Sequence, residues 1–190
     1  MKKMSNLFKK TTLALSVGMF ATLSLSANAA DQVKVSASVV QSCIVTVPAA
    51  LDFGKYDYLN AHSATGSDLT AQTTLNVQCN SGTPSAMVYM GKGKTVMGAY
   101  QACNNPVREL MQDGTSTTNK AVYLMYKDSA RTNAWGCNTA TGSGNTGGQT
   151  VGPFVNSLTP IPLTVYSSVT KGQNLNVGNY TDTINVWVSF

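Results

Sequence analysis

The chain has 190 residues, 13 basic and 8 acidic, with 43% hydrophobic and only 11% charged residues. Four of the lysines (Lys2, Lys3, Lys9 and Lys10) crowd the first ten positions, so the rest of the chain is nearly neutral. That balance supplies no basic patch for nucleic acid and no basic amphipathic segment for a lipid surface.

Residues 1–29 read as a signal peptide. The four lysines form its positive flank, Leu13 to Leu25 its apolar segment, and Ala27-Asn28-Ala29 a small-x-small cleavage pattern. The apolar run is short and broken by Thr and Ser, unlike a membrane anchor. Cleavage after Ala29 fits best, with Ala30 as the other plausible site. Residues 30–41 then form an N-terminal extension, and residues 42–190 a single domain long enough for a substantial core.

Within the extension, DQVKVSASVV at 31–40 alternates in character. Val33, Val35, Ala37 and Val39 point one way in an extended chain, and Gln32, Lys34, Ser36 and Ser38 the other. A strand at 43–47 stops at Pro48, and Leu51-Asp52-Phe53-Gly54 is a brief extended piece. Residues 56–68 read as a loop, and 69–79 as a longer strand with Leu75, Val77 and Cys79 on one face. After a turn at 80–84, strands are expected at 86–90, at 108–111 before the tight turn Asp113-Gly114, and at 121–126. Residues 136–150 are Gly-rich and read as a flexible loop. A strand containing Leu163, Val165 and Tyr166 follows Pro160 and Pro162. The last, at 183–190, places Ile184, Val186, Val188 and Phe190 on one side. Short strands, recurrent Gly and Pro and no helical periodicity predict an all-β sandwich.

Four cysteines in an exported chain predict two disulfides. Of the three possible pairings, Cys43–Cys79 is favoured as a link between the first two core strands. Cys103–Cys137 would tie long loops to the sheet. The spacings match neither a zinc site nor a C-x-x-C redox pair.

Catalytic chemistry is hard to assemble, and the chain is not expected to be an enzyme. His62 is the single histidine and lies in a polar loop. Asp52, Asp57, Asp68, Glu109, Asp113, Asp128 and Asp182 follow no metal-binding or glycosidase pattern. The glycines of GKGK (91–94) and GSGNTGG (142–148) lack the spacing or the ending of a phosphate loop. The reading therefore assigns no catalytic residue, no metal site and no small-molecule cofactor. Trp135, Trp187 and the tyrosines could include a sugar-stacking platform, although aromatics in sandwiches more often fill the core. Asn179-Tyr180-Thr181 is a lone glycosylation sequon.

The two end strands carry the functional signal. The terminal strand has nothing after it to close the sheet, while the 31–40 segment has the pattern of a closing strand. It could pair within its own domain or add to a neighbour's sheet edge. The residue pattern leaves the two open.

Cys43 with LDFGKYD at 51–57, LNVQC at 75–79, AVYLMYKD at 121–128, Trp135-Gly136, LTVYSSV at 163–169 and GNYTDTINVWVSF at 178–190 resemble the spore coat protein U-type domain family. That family includes subunits of archaic chaperone–usher pili, and the chain is most similar to the Csu-type major pilins of Acinetobacter. The resemblance implies an incomplete immunoglobulin-like β-sandwich, completed by an N-terminal donor strand from another subunit. It implies a pilus subunit, exported through the periplasm to the cell surface, that supports attachment and biofilm formation. The implied partners are a periplasmic chaperone, an outer-membrane usher, and copies of itself or sibling pilins. On this sequence Val33, Val35, Ala37 and Val39 would be the donor face. Ile184, Val186, Val188 and Phe190 would meet the donor or the chaperone. Without the receptor-binding domain of the family's tip adhesins, a rod or adaptor subunit is expected. The rival readings are a coat or surface-layer protein and a secreted carbohydrate-binding lectin.

Overall fold

The structure is a computed structural model and describes residues 34–94, 103, 106–137 and 147–190. Residues 39–190 make one compact unit, and residues 34–38 belong to another. Among the described residues there are nine strands and no helix. In chain order they are β1 (Cys43–Thr46), β2 (Leu69–Cys79), β3 (Ala86–Met90), β4 (Arg108–Gln112), β5 (Lys120–Tyr126), β6 (Gln149–Val151), β7 (Ile161–Val169), β8 (Tyr180–Thr181) and β9 (Val186–Ser189).

All neighbouring strands run antiparallel, in two sheets. The larger has the order β1-β2-β7-β5-β4-β8 and the smaller β6-β3-β9. The alternation read in β2 becomes packing: Leu75, Val77 and Cys79 are buried in one core cluster with Val165 and Val169 of β7. Val88 and Met90 from β3, with Trp135, Val151 and Phe154, complete the core. Trp135 is fully buried, and its indole N–H donates to the carbonyl of Val88 at 3.1 Å. This all-β sandwich is the expected immunoglobulin-like class.

Three expectations need correction. Residues 149 and 150, read as part of a Gly-rich loop, form β6 with Val151 on the edge of the small sheet. Val151 is the apolar anchor, and it lies just past the stretch read as unanchored. The expected strand after Pro162 begins earlier, at Ile161, and includes the proline. Pro162 pairs with Asn76 on β2, whereas β5 meets β7 only from Tyr166 onward. A residue without an N–H fits where one side of the strand is unladdered. Finally, the terminal strand expected at 183–190 is shorter, Val186–Ser189, and a separate two-residue strand precedes it. β8 pairs with β4 in the large sheet and β9 with β3 in the small one, so the chain changes sheets between Thr181 and Val186. Alternation of burial runs on through residues 182–185, which is why the sequence reads the strand as starting at 183. Much of the Gly-rich segment (138–146) lies outside the described residues.

Candidate functional site

The small sheet presents an open edge. Among the described residues β9 has β3 on one side and no strand on the other. Ile184, Val186 and Val188 face the core but are only partly buried, while Trp187 is 47% exposed on the opposite face. Phe190 is 54% exposed. Across the gap β1 lies alongside β9, their Cα atoms within 8 Å, without sharing a ladder.

Next to this edge the sandwich opens into a cleft of about 1300 Å³. One wall is residues 50–59 and the other residues 174–182, with Leu69, Leu110, Ala121 and Val169 beneath. Leu51, Phe53 and Tyr56 of the first wall are half-buried, whereas Asp52, Gly54 and Lys55 are exposed. That is the burial pattern of a strand, yet the segment joins no sheet. Phe53 rests edge-on against Tyr123, with ring centroids 6.0 Å apart. Tyr56 fastens the far end: its hydroxyl donates toward the carbonyl of Thr170 and accepts from the Gln173 N–H. Residues 183–185, which follow the second wall in the chain, are also unassigned to a strand.

A polar network fixes the start of the open edge. Asp182 accepts hydrogen bonds from the Lys94 N–H at 2.8 Å, the Thr183 N–H at 2.7 Å and the Tyr123 hydroxyl at 2.7 Å. Gly93 has φ +81°, and a Cβ there would collide with the Asp182 carboxylate, so glycine is required on both counts. Behind Tyr123 lies Arg108, fully buried, whose guanidinium donates to the carbonyls of Met90, Gly91, Pro106 and Trp135. Burial lowers the Arg108 pKa to about 10. Burial, and then the charge of Asp182, push the Tyr123 phenol well above its ordinary value. These groups join strands of both sheets and leave Asp182 on the core-facing side of the edge.

The residues expected to form a donor face are placed in part. Residues 34–42 form no strand and are exposed, with Val35 at 88% and Val39 at 87%. Ala37 is exposed too, and Val33 lies outside the described residues. At the root, the Asn80 side chain donates to the carbonyl of Val40 and accepts from the Ser42 N–H, each at 3.0 Å. The bridges join Cys43 to Cys79 and Cys103 to Cys137, the favoured pairing. The first bonds β1 to β2 directly across their ladder.

Other candidates have local partners. His62 stacks on Tyr56 at 5.0 Å and its Nδ1 meets the Ser67 carbonyl at 2.8 Å. Asp57 and Asp128 brace loops through neighbouring N–H groups, and Asp68 accepts from the Lys171 N–H. Glu109 pairs with Lys120 at 2.8 Å. The described residues hold no cluster of three His, Cys, Asp or Glu able to bind a metal ion. Trp135, Tyr89 and Tyr123 are buried, so these three cannot stack on a sugar. Sequence reading missed the cleft wall at Leu51, Phe53 and Tyr56 and the role of Asp182. The 51–53 alternation was visible, but the contact between 50–59 and 174–182 is made through space.

The Spore Coat Protein U domain family matches residues 29–187. Protein U of Myxococcus xanthus is 32% identical over 140 residues, covering 74% of this chain and 71% of that protein. Among solved structures, the fold is similar to a chain in the CsuC-CsuE chaperone-tip adhesion subunit pre-assembly complex from the archaic chaperone-usher Csu pili of Acinetobacter baumannii. The TM-score is 0.51 at 16% identity. The match covers 80% of this chain but 40% of that one, so this chain spans less than half of its length.

Proposed function

The chain belongs to the Spore Coat Protein U domain family, and from that premise we propose that it is a structural subunit of a chaperone–usher pilus. Residues 1–29 direct export, residues 30–41 act as donor strand and residues 42–190 form the pilin domain. A periplasmic chaperone first covers the open edge, and an outer-membrane usher directs assembly. The extension of the next subunit then replaces the chaperone. The resulting fibre stands on the cell surface and supports attachment and biofilm formation.

The observation that carries this reading is the unpaired β9 edge, with Ile184, Val186 and Val188 only half covered, in a chain that also carries an exposed alternating segment. An added strand would satisfy the free backbone groups of β9 and cover those side chains. Three donor valines at about 1.5 kcal/mol each give a gross apolar gain of about 5 kcal/mol. Ordering the extension costs about 1–2 kcal/mol for each residue fixed. Completion of the acceptor core therefore supplies the net drive.

Deleting residues 31–39 tests the reading. The truncated subunit is expected to fold and bind its chaperone while forming no fibre, as seen by electron microscopy and by chaperone co-purification. Full-length fibres from the truncated chain would sink the donor assignment. The family description favours a second reading, a coat or surface-layer protein joined by the same exchange. Microscopy of the assembled material separates a layer from thin fibres.

A further inference from the structure

The open edge is not uniformly apolar. Its core-facing positions, in chain order, are Asp182, Ile184, Val186, Val188 and, by alternation, Phe190. One carboxylate is followed by four apolar side chains. The extension continues its own alternation past Val39 to Gln41, giving Val33, Val35, Ala37, Val39 and Gln41. Here four apolar side chains are followed by one amide. Laid antiparallel, the two patterns match in a single register.

Resting on the donor-strand reading above, we propose that Gln41 of one copy pairs with Asp182 of the next, and that this polar pair sets the orientation and register of the inserted strand. Val39 then faces Ile184, Ala37 faces Val186, Val35 faces Val188 and Val33 faces Phe190. A shift of two residues in one direction sets Val39 against the carboxylate, and in the other sets Gln41 against Ile184. Either leaves a polar group facing a buried apolar one. Shifts by one residue turn the wrong face inward. Parallel insertion fails as well, since it brings Val33 to Asp182 and Gln41 to Phe190.

Both ends of the pair are prepared for it. The Asp182 carboxylate has three donors, the N–H groups of Lys94 and Thr183 on one oxygen and the Tyr123 hydroxyl on the other. A carboxylate has about four acceptor sites, so the second oxygen retains one for the Gln41 amide. The Tyr123 and backbone bonds hold that carboxylate in place before any strand arrives. On the donor side, Asn80 bonds the residues flanking Gln41, at the Val40 carbonyl and the Ser42 N–H. Gln41 is therefore the last in-phase position before the chain enters its own β1, and it is exposed. Ordering it in the complex costs less than ordering a residue further from the root.

Paired cysteines read the register directly. Full-length chains carrying Ala37→Cys with one of Ile184→Cys, Val186→Cys or Val188→Cys are assembled, oxidised gently and run on non-reducing gels. The register predicts a covalent ladder strongest for Val186→Cys, by about fivefold, because disulfides demand close Cβ atoms. A strongest ladder at position 184 or 188 overturns the register but leaves strand donation standing. No ladder with any of the three overturns strand donation and the register with it. Gln41→Leu, which keeps the donor's apolar face, is expected to speed loss of subunits from the fibre about tenfold. Unchanged dissociation would overturn the polar pair.

Discussion

Two strands, β2 in the large sheet and β9 in the small one, bury the same kinds of side chain to different depths. Inside the large sheet, β2 has β1 and β7 as neighbours, and Leu75, Val77 and Val165 are at most 2% exposed. On β9 and the residues leading into it the alternation is equally regular, yet Ile184, Val186 and Val188 are only partly covered. Composition does not separate the two regions. What differs is the number of strands alongside: an interior strand has its side chains closed in from both flanks, and an edge strand from one. Incomplete burial on β9 is therefore a property of topology, and one added strand would correct it.

The strongest way to break the comparison is to spoil the strand proposed to complete it. Val35→Asp would bring a carboxylate into an apolar groove, and assembly is expected to fall by at least about a hundredfold. Lys34→Asp changes the outward face and should cost less than about threefold. Equal losses in a fibre-assembly assay would refute the phase of the donor strand.

A smaller effect tests burial itself. Val77→Ala removes fully covered methyl groups and is expected to cost the unassembled body about 2 kcal/mol in urea unfolding. Val186→Ala in the same body should cost under about 1 kcal/mol, because its side chain is already part-exposed. The gap should narrow in the fibre. If both substitutions cost the free body equally, the edge is as well packed as the interior and the comparison fails.

The smallest effect is electrostatic and local to the closed sheet. Beyond β5, Asp128 is held below its ordinary value of 3.8, first by the hydrogen bond from the Thr132 N–H and further by those from Asn133 and the Thr132 hydroxyl. A depressed carboxylate stabilises above its ordinary value and loses that contribution as pH falls through the folded one. Relative to the intrinsic rate at each pH, amide exchange at Thr132 and Asn133 should therefore accelerate on acidification below pH 3.8, while β9 amides keep their protection. Concerted acceleration at β9 would show that the loop and the edge are one unit.

Several elements were legible because their cause is local. Alternation placed β2, β3 and β5 almost to the residue, and Asp113-Gly114 marked the turn after β4, where both residues have positive φ. The favoured cysteine pairing followed from expecting the first two core strands to be neighbours. β6 was missed because three residues beside a Gly-rich tract carry too little pattern. The start of the terminal strand was misplaced for another reason: alternation records which side faces inward, and it continues through residues 183–185, which join no strand.

By itself, then, the sequence determined the all-β class, the alternating extension and the inward face of the terminal run. These follow from the two-residue period of an extended chain, which any contiguous segment carries. Only the tertiary structure decided that β9 lies at an edge, that residues 50–59 wall a cleft opposite 174–182, and that Asp182 is tied to Tyr123 and Lys94. Those facts depend on contacts between segments more than a hundred residues apart in one case and eighty-eight in another. No local pattern encodes such pairings, because they are set by how all the strands share one core.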